Sequence, residues 1–214
     1  MTEILLIRHG ETEWNAIKRL QGHLDIPLNA EGERQAAALG QALLDEPIDV
    51  IVSSDLQRAM QTAQAIAEPR GMALKVDPGL RERCYGAFEG VMYSEIPALF
   101  PEAYASWQAR DIDARFPTGE RKAETLREFH ERAIATISRL ASIYPRRKIA
   151  LVTHGGVLEC AYRAAKGISL LAARDFDIFN ASINRVVWNG ASLHVSEWSN
   201  VAHLTQAALD EIDK

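Results

Sequence analysis

The sequence contains no apolar run of the roughly 18 residues that a membrane-spanning helix needs. It also lacks a basic stretch ahead of an apolar one near its start: Ile4-Leu5-Leu6-Ile7 is too short for a secretory leader and runs straight into Arg8-His9. Cysteine is scarce. Cys84 and Cys160 stand far apart without metal-type spacing, which points to free thiols in a reducing compartment and to a cytoplasmic location. There is no basic tail, and the formal net charge is −5, so nucleic acid is not the expected partner. Pro145-Arg146-Arg147-Lys148 reads as a solvated loop ahead of an apolar strand. Repeats, low-complexity tracts and linkers are all missing.

What is present is an ordinary globular composition, 47% apolar and 25% charged over 214 residues. The length suits one domain over 1–214 with a sizeable core. Ile4–Ile7 has no alternation, as expected of a strand covered on both faces. Further strands are expected at 49–52, 74–76 and 148–153, with a closing hairpin of 186–188 and 193–197 around Asn189-Gly190. Helices are expected from Asn29 as N-cap to Glu46, over 56–67, over 122–143 and over 155–166. The stretch 80–120 holds Pro97, Pro101, Pro117 and seven aromatics, and reads as an irregular helical cap. Strands alternating with helices predict a largely parallel sheet covered on both faces.

Two strands end alike, in Ile7-Arg8-His9-Gly10 and in Val152-Thr153-His154-Gly155, and a third ends in Ser53-Ser54-Asp55 with Arg58 following. Ligands of open α/β sheets bind outside the carboxyl ends of the strands. Singly these features are ordinary: a hydrogen-bonded histidine, a solvated arginine, a glycine pair serving a turn. Together they fit an anion site. Arg8 and Arg58 can fork onto phosphoryl oxygens, and the Gly155-Gly156 helix start offers N–H groups and the positive dipole end. His9 would act as a neutral nucleophile, with nearby arginines favouring the neutral form, and His154 would stabilise developing charge. A leaving alcohol also needs an acid. Glu82 is a candidate, although its position alone reads as a surface carboxylate paired with Arg81 or Arg83. Glu11 and Glu13 are rivals.

Arg8-His9-Gly10-Glu11-Thr12, Asn15, Gln21-Gly22, Ser53-Ser54-Asp55-Leu56-Gln57-Arg58, Leu80-Arg81-Glu82 with Tyr85-Gly86, Thr153-His154-Gly155-Gly156 and Asn200-Val201-Ala202-His203 follow one another in the order of a known family. Together they resemble the histidine phosphatase superfamily, the phosphoglycerate-mutase-like clan. The resemblance implies a three-layer α/β/α sandwich with a mixed, mostly parallel sheet. It implies that His9 carries the phosphoryl group, that Arg8, Arg58 and His154 flank it, and that Glu82 is the proton donor and acceptor. Asn15, Gln21, Gly22, Tyr85 and Gly155 are implied to line the phosphate or the substrate. No metal or cofactor is implied, in keeping with the missing HExxH, Walker and EF-hand patterns. A 2,3-bisphosphoglycerate primer would be needed only by a mutase.

The clan holds phosphatases and mutases. Its mutases resemble a pattern with a lysine close after the Glu82 block and a basic pair in a longer insert. Here Tyr93 stands in place of that lysine, and Arg110 and Arg115 are not adjacent. Gln21-Gly22, Trp107, Phe116–Glu120 and Asn180–Ile183 resemble the phosphatase branch more closely. The expected activity is therefore hydrolysis of small phosphate monoesters through phospho-His9. Phosphoglycerate mutation is the alternative, and a non-catalytic phospho-ligand scaffold stands behind both. The expected partner is a small phosphate ester, with no membrane or nucleic acid, and a homodimer stays open. Cys84 beside the pocket reads as a small space-filling residue. The sharper alternative is a thiol whose oxidation blocks the substrate's path.

Overall fold

The computed structural model describes residues 1–211; the last three residues of the single domain expected over 1–214 lie outside the described residues. A six-stranded sheet forms the middle layer, in the order β3-β2-β4-β1-β5-β6. Its strands are β1 (Thr2–Arg8), β2 (Val50–Ser53), β3 (Leu74–Val76), β4 (Lys148–Thr153), β5 (Ile183–Trp188) and β6 (Leu193–Asn200). The first four run parallel, β5 runs antiparallel to β1, and β6 pairs antiparallel with β5, so the sheet is mixed and mostly parallel.

The uniform apolarity of β1 now has its physical reason. Ile4 and Leu6 face one core, while Leu5 and Ile7 face the other. The first core is closed by helices α6 (Leu126–Ile143) and α7 (Gly155–Lys166) through Phe129, Ile137, Val157 and Leu158. The second is closed by α2 (Ala30–Ala42) and α3 (Gln57–Ala67) through Leu39, Ala59, Ala63 and Ile66. This is the three-layer sandwich.

Two helix boundaries differ from the sequence reading. Helix α2 is capped by Asn29, whose side chain accepts from Gly32 N, but it ends at Ala42, with turns completing the path to Pro47. Helix α6 begins at Leu126 rather than near 122, because Thr125 and Glu128 form a capping box that fixes the start. A one-turn helix after β1, α1 (Glu13–Ala16), is capped in the same reciprocal way by Thr12 and Asn15.

Between β3 and α6 the chain makes only short elements: 3₁₀ turns at Pro78–Leu80 and Gly86–Phe88, then α4 (Ile96–Leu99) and α5 (Pro101–Gln108). Its aromatics form a third small core, in which Phe88 stacks on Phe116 at 4.5 Å and Trp107 lies 5.3 Å from Phe116. Trp107 and Phe116 are thus held mainly by their neighbours. Among the described residues no helix is long and apolar enough to cross a membrane.

Candidate active site

Strands β2, β4 and β1 are neighbours in the sheet, so their carboxyl ends lie side by side. This brings Ser54, His154 and His9 together at one edge. The His9 and His154 rings are 5.1 Å apart, and both residues are buried. Arg58 comes from the first turn of α3. The solvated position that an arginine there ordinarily takes does not apply: Arg58 is only 1% exposed, at the edge where the anion site is expected. Its Nη groups donate to the carbonyl oxygens of Gly22 (2.9 Å) and Leu24 (3.0 Å), which pulls the guanidinium under the loop after α1.

One cavity at this edge is lined by Arg8, His9, Asn15, Gln21, Gly22, Arg58, Glu82 and Tyr85, together with Arg19, Leu20 and Glu211. Eight of the ten residues expected at the site therefore share a wall. The other two adjoin it: His154 through the His9 ring and Gly155 through Glu211, whose carboxylate an added Cβ on Gly155 would overlap.

The His9 ring is oriented by its own chain. Nδ1 lies 2.7 Å from the Gly10 carbonyl oxygen, which can only accept, so Nδ1 carries the proton and Nε2 keeps its lone pair. The backbone is fixed as well: His9 O accepts from Asn180 Nδ2 and Ala181 N, and Gly10 N donates to Thr62 Oγ1. Burial pushes the His9 pKa well below the ordinary histidine range, and the Arg58 and Arg8 charges add to this. The sequence argument had credited the arginines; loss of water is the larger cause. His154 is shifted the same way, first by burial and then by Arg58. Its Nε2 meets Ser54 Oγ at 2.8 Å.

Glu82 is not a surface carboxylate. Arg81 turns away from it to make a two-pronged pair with Asp55 (2.7 and 2.5 Å). The Glu82 side chain points inward, accepting at Oε1 from Arg83 N (2.8 Å) and at Oε2 from Gly156 N (3.0 Å). A side chain on Gly156 would collide with Glu82 and Phe129, which explains the second glycine of the pair. Burial and the nearby Glu211 charge raise the Glu82 pKa against the two N–H bonds that lower it. The loop itself is clamped by Arg132, which donates to the carbonyls of Gly79, Arg81 and Glu82 while pairing with Glu124. The rivals Glu11 and Glu13 are not among the cavity-lining residues. Glu11 instead binds the Asn29 amide.

Asn15 and Gln21 turn their amide oxygens to Thr12, and both residues line the cavity. Gly22 has φ +52°, a left-handed conformation that favours glycine, and a Cβ there would strike the Glu89 carboxylate. Tyr85 also lines a second cavity with Arg83, Trp107, Arg110, Phe116, Glu159 and Arg163.

Sequence reasoning missed Ser54 as the partner of His154, the Arg132 clamp and Glu211. Ser54 lay inside a motif already noted; the other two gave no local signal. Cys84 and Cys160 are free and buried. Burial pushes the Cys84 thiol up to about 11, so little thiolate is available to an oxidant.

Comparison with known proteins shows the family and the fold. The family model described as histidine phosphatase superfamily (branch 1) matches residues 4–201. Phosphoglycerate mutase-like protein 4 of Arabidopsis thaliana is 36% identical over 208 residues, covering 95% of this chain and 87% of the relative. The structure of Bacillus stearothermophilus YhfR superposes with a TM-score of 0.85 at 30% identity, covering 95% of this chain and 99% of that one. Phosphoserine phosphatase of Entamoeba histolytica, solved with 3-phosphoglyceric acid, gives 0.83 at 25% identity, with coverages of 95% and 99%. The chain belongs to the histidine phosphatase superfamily, branch 1.

Proposed function

We propose that this protein is a phosphomonoesterase that hydrolyses small phosphate esters through a phosphohistidine on His9, without a metal. The observation that carries the reading is the placement of the His9 ring: its Nδ1 lies 2.7 Å from the Gly10 carbonyl oxygen, which assigns the lone pair of the neutral ring to Nε2, and His9 lines one cavity with two buried guanidinium groups.

In this reading the phosphoryl oxygens lie against Arg8, Arg58, His154 and the first turn of α7, with the Asn15 and Gln21 amides as further donors. His9 Nε2 attacks phosphorus; the P–N bond forms as the ester P–O bond breaks. Protonated Glu82 gives its proton to the departing oxygen. The Gly10 carbonyl steadies the imidazolium that results. Water then attacks the phosphohistidine, Glu82 takes its proton, and the P–N bond breaks to release inorganic phosphate and neutral His9. A raised Glu82 pKa suits the first step, and a lowered His9 pKa keeps the nucleophile unprotonated.

Phosphoglycerate mutation is the alternative, and the cap argues against it. A doubly phosphorylated intermediate needs extra cations. Arg110 and Arg115, the candidates in the cap, are paired with Glu159 and Glu128. The test is a panel of phosphate esters assayed with and without 2,3-bisphosphoglycerate, alongside the His9→Ala variant. Phosphate release independent of the primer and lost in His9→Ala supports the phosphatase. Primer-dependent interconversion of phosphoglycerates faster than phosphate release makes it a mutase. Full activity in His9→Ala contradicts both.

A further inference from the structure

Arg8 already holds an anion in this structure. Its Nη1 donates to the carbonyl oxygens of Ile178 (2.7 Å) and Leu209 (3.3 Å), and its Nη2 lies 2.9 Å from Oε2 of Glu211. Glu211 belongs to the segment after β6. Its carboxylate rests on the opening turn of α7, against Gly155, and lines the same cavity as His9, Asn15, Gln21 and Arg58. It therefore sits against two of the donors proposed for the phosphoryl group, Arg8 and the start of α7. Its charge is felt there too: it adds to the burial that raises the Glu82 pKa, and it partly offsets the burial that lowers Arg58 to about 10.

The tail that delivers Glu211 is fastened by design of the fold rather than laid loosely on the surface. Arg174, whose side chain is fully buried, donates to Phe176 O (2.6 Å), the Asp210 carboxylate (3.2 Å) and Glu211 O (2.6 Å). Asp210 in turn accepts from Ile178 N (2.7 Å) and Glu211 N (2.8 Å). Asn180 N donates to Leu209 O (2.9 Å), and Asn180 also holds His9 O. The backbone of Glu211 is thus fixed beside the segment that positions the nucleophile.

We propose that Glu211 is an intramolecular competitor for the phosphoryl site, occupying the Arg8 position in the free protein and yielding it when a phosphoryl dianion binds. This rests on the reading of the cavity as a phosphoryl site. A tethered carboxylate competes at an effective concentration in the millimolar range. It compensates the buried Arg8 charge while the site is otherwise unfilled, and a dianion with three oxygens replaces it because it also engages Arg58 and the α7 N–H groups. The apparent affinity for every ligand that needs the Arg8 position is lowered by the same factor, so Glu211 sets the phosphate concentration at which the site responds.

The experiment is calorimetric titration of the full chain with inorganic phosphate, comparing wild type, Glu211→Gln and Glu211→Asp. Glu211→Gln removes the charge; Glu211→Asp keeps it on an arm one methylene too short for Arg8. Both variants are expected to bind phosphate about tenfold more tightly than wild type, the size of one lost charged contact. Binding equal to wild type or weaker in either variant overturns the competitor while leaving the phosphoryl site intact. Absence of phosphate binding in all three proteins at millimolar concentration overturns the phosphoryl-site reading and the competitor with it. Because the readout is binding, it does not depend on whether His9 becomes phosphorylated.

Discussion

At the sheet edge, Arg58 is buried and spends its Nη groups on the carbonyl oxygens of Gly22 and Leu24, with no carboxylate partner among the described residues. In the walls around that edge, equally deep or half-buried arginines meet carboxylates: Arg163 with Glu159, Arg132 with Glu124, Arg174 with Asp210. A carbonyl satisfies an N–H group but leaves the guanidinium charge standing, whereas a carboxylate satisfies the N–H and cancels the charge. The same residue type is therefore a ligand in one region and a rivet in the other. Arg8 lies between the two. It resembles Arg58 in its carbonyl partners and the wall arginines in its contact with Glu211.

Exchanging the charge for a neutral side chain of similar length separates the two regions. Arg58→Met is expected to lower kcat/KM for an aryl phosphate by about 10²–10³, the usual cost of one transition-state donor. Denaturant titration of the same variant should move by less than about 1 kcal/mol, because the lost carbonyl contacts are offset by removal of a buried charge that no direct ion pair holds. Arg163→Met should do the reverse. Glu159 keeps Arg110, so loss of the Arg163 contacts with Glu159 and the Ser169 carbonyl is expected to cost about 2 kcal/mol of stability while kcat stays within a few-fold of wild type. An unfolded Arg58 variant, or an inactive but stable Arg163 variant, would break the comparison.

A smaller effect concerns pH. Glu82 must be protonated to release a poor leaving group, and its pKa is raised by burial and Glu211, so turnover of an alkyl phosphate should fall as pH rises through that raised value. The limb should vanish in Glu82→Gln, and it should be weaker for an aryl phosphate with a good leaving group. On the acid side His9 stays neutral because burial and the arginines depress its pKa, so no loss of activity is expected at the ordinary histidine pKa of about 6.5. A limb centred there in kcat would contradict the burial argument.

The smallest effect is expected at Cys84. With its thiol pushed up to about 11, Cys84→Ser should leave both turnover and peroxide sensitivity unchanged. Peroxide resistance gained in the variant would restore the redox reading.

These cases also show what the sequence could and could not reveal. The strands were legible because β1 and β4 are buried on both faces and so are apolar without a break. The start of α6 was misread because apolar spacing does not register where a capping box closes the first turn; Thr125 and Glu128 do that. At the site, strand ends carrying Arg8-His9 and His154 were visible, and the family resemblance supplied Glu82. Position alone could not, because Arg81 and Arg83 offered obvious partners in sequence that the fold uses elsewhere: Arg81 goes to Asp55, and Arg83 Nε goes to the Glu124 carbonyl. Glu211 was beyond reach for a different reason. Its contact with Arg8 joins opposite ends of the chain and depends on where Arg174 and Asp210 hold the tail, which no local pattern encodes.

The central claim is that His9 accepts the phosphoryl group. Acid-free rapid quenching of the full chain with an aryl phosphate in excess, followed by mass spectrometry of the peptide containing His9, tests it most directly. The account predicts a phosphoryl adduct on His9 that forms and decays at rates consistent with turnover and is missing from His9→Ala. Turnover in the wild type without any adduct on His9 under those conditions, or an adduct on another residue that forms at the rate of turnover, would contradict it.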